Sequence, residues 1–377
     1  MQKLKNIEFL RTFLICGIVM LHCCVSSAWS FSKLFKDINI YKTLHDCFAH
    51  SNNGVEGFFI IAGFFLVLTF KDSISLSNFI KKKYIRLSPV IAWATILCIG
   101  GWLLNTMHFK VVPNILTVLL LNHFGICWGI GANPVLWFCS ALFFGLLVYF
   151  CIFKFVPDKF KFWICFFVSI LSYIILQILQ YGRYADPYHN YYHIFNIGIL
   201  RALGGIGLGC IIGYFYKEYI QKISKFNVLN WQKILITIFE VLFFGAIFWW
   251  MCIPHVKINN FVYVILFVIL FILFLINKGY FSNFVNKDIW VFLGKYQYSV
   301  YVIHYVIGKI LCFGLWKKVP IFMHNHPIIP LVITILCVIV LSVFTYHFVE
   351  IPCAEYLKNL IFVKSEKPLY KRIFGGG

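Results

Sequence analysis

Long apolar runs separated by short polar connections recur along the whole chain. They cover residues 9–28, 54–70, 89–104, 113–150, 162–180, 194–216, 234–253, 258–276, 289–313 and 328–350. Each is close to the length a helix needs to cross a hydrocarbon layer about 30 Å thick. The run 113–150 divides into a surface segment and a span that starts near Pro134. The pattern therefore predicts an all-α integral membrane protein of about ten transmembrane helices. No polar stretch is long enough for a second globular unit. The membrane domain is expected over residues 1–352 and a short basic cytoplasmic tail over 353–377.

The polar connections orient this array. Lysine and arginine collect on alternate connections: Lys3 and Lys5, then the run from Lys71 to Arg86, Lys154 to Lys161, Lys217 to Lys233, Lys278 and Lys287, and the tail from Lys358. The intervening connections carry far fewer, so the first set lies inside and both termini are cytoplasmic. Composition agrees, because only 12% of residues are charged where soluble domains carry about 25%. The net charge of +20 is spread over these connections, so it reads as topology and not as a nucleic-acid surface. The 14 cysteines form no C-x-x-C pair and most lie within spans, which excludes a disulfide framework. Cys23 and Cys24 follow His22 without further ligands nearby, and no metal is expected. Lys3, Lys5 and Ser26-Ser27-Ala28 mimic a cleavable signal. Glu8 and Arg11 interrupt the intervening run, so the first helix is expected to be retained.

Charged groups within spans are candidates for function. Arg11 and His22 are eleven residues apart, which on an α-helix is about 20° past three full turns and about 16 Å along the axis. They share one face, Arg11 near the cytoplasmic surface and His22 deep in the membrane. Either this is a functional stripe, or Arg11 snorkels to headgroups and His22 is an interhelical hydrogen-bonding residue. Glu56 sits near the start of the second span, as a partner for a cation or for substrate hydroxyls. The next inner loop carries Lys81-Lys82-Lys83-Tyr84-Ile85-Arg86, which can hold phosphates by point charges and an arginine fork or serve as a topological anchor. Gly205, Gly209 and Gly213 have the four-residue spacing of close helix packing. Arg201 precedes them, as an anion-binding group or a snorkelling anchor. Glu240 either pairs with Arg201 or has no part in chemistry. Tyr296, Tyr298, Ser299, Tyr301 and His304 make the ninth span too polar for lipid alone. Pro352, after His347-Phe348-Val349-Glu350-Ile351, is expected to end the last helix.

In this order the motifs resemble those of the acyltransferase-3 family of membrane acyltransferases, over about residues 5–352. Arg11 and His22 match its R-x10-H signature. Gly54, Glu56, Phe58, Phe59, Gly63 and Phe64 match its G-V-[DE]-x-F-F-x-x-S-G-F segment, with Ala62 in place of serine. Lys83-Tyr84-Ile85-Arg86 resembles R-x-x-R, with lysine first. Leu136-Trp137-Phe138 resembles its W-F/Y segment. Tyr298, Ser299, Tyr301 and His304 resemble S-Y-x-x-Y-x-x-H, and Glu350 with Pro352 the closing E-x-P.

The resemblance, to the bacterial O-acetyltransferase type without an SGNH domain, implies a multi-pass enzyme of the inner (cytoplasmic) membrane. It would move an acyl group, acetyl from acetyl-CoA, to a hydroxyl of a cell-surface or lipid-linked glycan. Lys83, Arg86 and Arg11 would hold the acyl-CoA phosphates. His22, with Arg11 and Glu56, would be catalytic, His22 as general base or as a transient acyl carrier. Trp137, Tyr298, Ser299, Tyr301, His304 and Glu350 would contact substrate. Membrane lipid is the remaining partner, with neither nucleic acid nor metal. The alternative in another class is an exporter of polysaccharide or lipid-linked sugar, which would not need His22 and a CoA-sized basic mouth together.

Overall fold

The computed structural model describes residues 4–23, 31–103, 110–122, 131–180, 190–191, 195–223, 226–252 and 259–362. The long helices are α1 (Lys5–Leu21), α2 (Gly54–Thr69), α3 (Leu76–Leu103), α4 (Trp137–Phe155), α5 (Asp158–Gln180), α6 (Ile197–Phe215), α7 (Asn230–Met251), α8 (Asn260–Ile276), α9 (Gln297–Gly314) and α10 (Ile328–Thr345). Apart from helices, Asn190–Tyr191 pairs antiparallel with Phe195–Asn196. Eight helical stretches among the described residues are long and apolar enough to cross a membrane, and α8 is apolar but shorter. The protein is therefore a multi-pass, all-helical membrane protein. The helix α1, of 17 residues, falls outside that set and carries Lys5, Glu8 and Arg11 in its first half.

Three boundaries differ from the sequence reading. The basic run 81–86 is not in a loop: α3 starts at Leu76 and carries it on its first turns. Lysine and arginine are good helix formers, and the chain reaches the apolar stretch without a break. The ninth span begins at Gln297 and not at 289, because Asp288–Gly294 forms a separate short helix, tied to α1 by Lys5 and Asp288 at 3.0 Å. Pro352 does not stop the last helix. A widened turn at Tyr346–Glu350 leads into a helix at Ile351–Phe362, and the widening makes room for the ring against the preceding turn. The expected tail boundary thus falls inside helix. The rest of the tail, Cys24 and Ser26-Ser27-Ala28 lie outside the described residues.

The centre of the bundle is the α2–α6 contact. With no hydrophobic gain from pairing helices in lipid, association depends on close packing and interhelical hydrogen bonds. Small residues supply the close packing. A Cβ added at Gly209 would fall 1.9 Å from the Ile60 carbonyl oxygen, and one at Gly63 would fall 1.9 Å from that of Ile206. The two backbones touch through paired glycines, as the spacing of Gly205, Gly209 and Gly213 predicts. Side chains of α4 and α5 close over α6: Tyr149 donates to the Leu203 carbonyl at 2.7 Å, and Ser169 to that of Gly204 at 2.7 Å. The periphery faces lipid. On α7, Trp231, Ile234, Ile238, Val241, Leu242 and Trp249 are all exposed, as expected where the solvent is hydrocarbon.

Gly209→Ala is expected to destabilise the fold, because backbone cannot rotate out of the way as a side chain can. Overpacking costs typically about 1–3 kcal/mol. The thermal midpoint in detergent should fall for this variant and not for Gly245→Ala, where a Cβ meets nothing within 4 Å. Equal midpoints for both would remove the backbone-contact account.

Glu240 does not pair with Arg201. Its carboxylate accepts from the Ser282 backbone N–H at 3.0 Å, capping the short helix Tyr280–Phe284. The first amides of a helix lack internal acceptors, and a carboxylate there is favourable. Gly279 makes room for it, since a Cβ there would sit 2.1 Å from Glu240 Oε2.

Candidate active site

Four helices and the start of a fifth enclose a cavity of about 390 Å³. Arg11 reaches it from α1; Phe58, Ile61, Ala62, Phe65, Leu66 and Thr69 from α2; Lys83, Arg86 and Leu87 from α3; Phe138, Leu142 and Leu146 from α4; Gln297, Tyr298 and Tyr301 from α9. The lining is graded. The last residue of α2, the early turns of α1 and α3, and the first of α9 bring Thr69, Arg11, Lys83, Arg86 and Gln297 to one end. The opposite ends of α2 and α4 bring Phe58 and Phe138, with Tyr301 one turn into α9. These three rings form the apolar end, Phe138 lying 6.1 Å from Phe58 and 5.1 Å from Tyr301 between centroids.

The cationic end depends on the helical conformation of the basic run. Lys83 and Arg86, three residues apart, share one face of α3. Lys83 lies over the Phe79 ring at 5.4 Å. Arg11 is held by Glu8, its Nη1 being 2.9 Å from both carboxylate oxygens. Gln297 donates to the Thr12 hydroxyl at 2.9 Å, joining α9 to α1 beside Arg11.

Beyond the apolar end lie two histidines. Tyr301 and His304 are one turn apart on α9, their rings 5.9 Å apart. His304 Nε2 is 3.1 Å from His22 Nδ1. His22 follows the last residue of α1 in a widened turn. The Arg11–His22 stripe is therefore split between two surroundings: Arg11 lines the cavity, and His22 is reached from it through Tyr301 and His304.

Sequence-predicted contacts on α9 serve first to hold that helix. Tyr298 donates to the Leu87 carbonyl at 2.5 Å, Tyr301 to the Val135 carbonyl at 2.6 Å, and Ser299 to Glu350 Oε2 at 2.7 Å. The hydroxyls of Tyr298 and Tyr301 are thus engaged within the protein, while both residues line the cavity. Glu56 is elsewhere. It is fully buried, with Oε1 accepting from Arg201 Nε at 2.6 Å and Oε2 from the Tyr173 hydroxyl at 3.2 Å. Trp137 covers this pair, its ring centroid 4.9 Å from the Arg201 guanidinium carbon. Neither Glu56 nor Trp137 lines the cavity. Sequence reasoning offered Glu240, and not Glu56, as a partner for Arg201. Depth was the available signal, because Glu56 and Arg201 both lie early in helices that run the same way and pack together. Among the described residues no group of three His, Cys, Asp or Glu side chains gathers into a metal site.

The profile of the acyltransferase-3 family, described as an acyltransferase domain, matches residues 4–347. The chain belongs to this family. Curated proteins similar to this acyltransferase-3 chain include "O-acetyltransferase OatA" of Staphylococcus aureus strains MRSA252, NCTC 8325 / PS 47 and N315, each 23% identical over 98% of the chain. The acyltransferase-3 chain spans about 60% of the length of these relatives. No solved structure matches it.

Proposed function

We propose that this acyltransferase moves an acetyl group from acetyl-CoA to a hydroxyl of a cell-surface or lipid-linked glycan. The observation that carries this reading is the convergence of Arg11, Lys83 and Arg86, from two helices, on the cationic end of a cavity whose apolar end leads to the histidine pair. Phosphates of the donor are held by the three cations, by charge and by the planar fork of arginine. A cavity of this size is in the usual range for small-molecule sites, roughly 300–1,000 Å³. The pantetheine arm then lies along Ala62, Leu142 and Phe138 and brings the thioester toward His22 and His304. The name of the Staphylococcus aureus relatives supports acetyl as the group moved.

In the reaction His22 takes the proton of the acceptor hydroxyl as that oxygen bonds to the thioester carbon. The C–S bond breaks, and the proton passes to the departing CoA sulfur. Imidazole suits both directions because its ordinary pKa lies near neutrality. The topology that serves this chemistry has ten spans in the inner membrane with both termini in the cytoplasm, so that the cationic end meets cytoplasmic donor.

Lys83→Ala combined with Arg86→Ala tests the donor site. Acetyl-CoA affinity of the purified variant is expected to fall, and the difference from the native protein to shrink at high salt, because exposed phosphate contacts are screened. Acyl esters on surface glycans, read by mass spectrometry, should fall in parallel. Unchanged donor affinity would leave the basic run as a topological anchor and return weight to the exporter reading.

A further inference from the structure

We propose that His304 is a positioning residue that fixes Nε2 of His22 as the proton-accepting nitrogen. This rests on the reading of His22 as the base. It is carried by hydrogen-bond distances around the two imidazoles.

His304 Nδ1 lies 3.1 Å from the Val300 carbonyl oxygen. A carbonyl only accepts, so Nδ1 carries the hydrogen of the neutral ring. His304 Nε2 is then a lone-pair nitrogen. It faces His22 Nδ1 at 3.1 Å, and His22 Nδ1 also lies 2.9 Å from the Ile18 carbonyl oxygen. Two acceptors on one nitrogen require that it be the donor. The opposite tautomer would set the His22 Nδ1 lone pair against a carbonyl oxygen at that distance and would leave the Val300 contact unmade. The chain of donation therefore runs from His22 Nδ1–H to His304 Nε2, and from His304 Nδ1–H to Val300. The free lone pair of His22 is on Nε2.

Burial points the same way. His304 is fully buried, whereas His22 is half-buried. With its Nδ1 edge turned to Ile18 and His304, His22 keeps its Nε2 edge as the accessible one. Among the described residues the histidines paired with carboxylates are His45 and His324, and not these two. The other rings that face them are Tyr301 against His304 and Tyr305 against His22, the latter edge-on at 5.9 Å. A buried neutral imidazole thus does here what a carboxylate does behind the histidine of a hydrolase triad, holding the base in one tautomer and orientation. When Nε2 takes the hydroxyl proton, His22 becomes a cation. Its Nδ1–H bond to His304 strengthens, because a charged donor makes the stronger bond. When the proton leaves with the thiol, His304 is unchanged.

The test combines spectroscopy with kinetics. In ¹⁵N-histidine-labelled protein in lipid bilayers, with the His22 signals assigned by their absence in His22→Gln, Nδ1 is expected to be protonated and Nε2 bare. A His22 protonated on Nε2 overturns the proposal whatever the activity. Thiol release from acetyl-CoA by membranes containing the native acceptor supplies the second arm. For His304→Leu the kcat is expected to fall about 10- to 1,000-fold, less than the roughly 100- to 10,000-fold cost of losing the general base itself, with KM for acetyl-CoA within twofold. His304→Gln, which keeps an acceptor near the Nε2 position, should recover part of that loss. A native kcat in His304→Leu, or equal losses in both variants, would overturn it. A fully active His22→Gln would sink the base reading itself, which the tautomer signal of the native protein does not depend on.

Discussion

His22→Gln is expected to abolish acyl transfer while the protein still reaches the membrane and binds acetyl-CoA. Loss of a general base costs about 100- to 10,000-fold in rate. Glutamine is the informative replacement because its amide keeps polarity and bulk but takes no proton near neutral pH. The packing around the site supports an intact fold: the His22 side chain is half-buried and bonds through Nδ1 to Ile18 and His304, while the core of α1 is made by Ile7, Leu10, Leu14 and Ile18. His22→Ala should behave in the same way. The measurement is acyl ester on surface glycan, by mass spectrometry, from cells that carry each variant. If the glutamine variant acylates at near the native rate, His22 is structural and the exporter reading moves to first place.

Arg201→Leu is expected to cost more in stability than Gly209→Ala. It leaves the Glu56 carboxylate fully buried without the cation that now lies 2.6 Å away. Removing one partner of a buried ion pair typically costs about 3–5 kcal/mol, because a charge remains in a medium that cannot solvate it. The guanidinium also lies against Trp137, so packing is lost with the charge. Folded protein recovered in detergent should drop sharply. The double variant Glu56→Gln with Arg201→Leu should recover part of it, since no bare charge then remains. A different result would be instructive: an Arg201→Leu protein that folds normally and loses only acyl transfer would support a part for Glu56 in catalysis, as sequence reasoning expected.

The helical spans were legible because lipid imposes one constraint on every residue of a span. Continuous apolarity marks α2, α6 and α10, and the spacing of Gly205, Gly209 and Gly213 announced close packing on α6 without naming its partner. Starts and ends of helices were less legible, because charged and apolar residues both propagate a helix. The basic run of α3 looked like loop only because it is polar. Of the site, the convergence of Arg11, Lys83 and Arg86 was anticipated, since all three occupy the same depth. The encounter of His22 with His304 was not legible, because it joins residues 282 positions apart through side-chain packing, and packing leaves little trace in a single sequence. The pairing of Glu56 with Arg201, outside the cavity lining, was not legible for a related reason. A carboxylate in a span demands a partner, but its identity depends on which neighbouring helix presents a cation at that depth.

The backbone contact between α2 and α6 has a further consequence. Helices in contact through glycine cannot slide past one another without colliding at Gly63 or Gly209, so α2 is a stationary wall. That wall runs from Thr69, at the cationic end of the cavity, to Phe58, at its aromatic end. The fold therefore holds a fixed gauge of length between the cations and the histidines. For the proposed donor this gauge is the pantetheine arm: a thioester on a shorter arm would anchor its phosphates and stop short of the imidazoles.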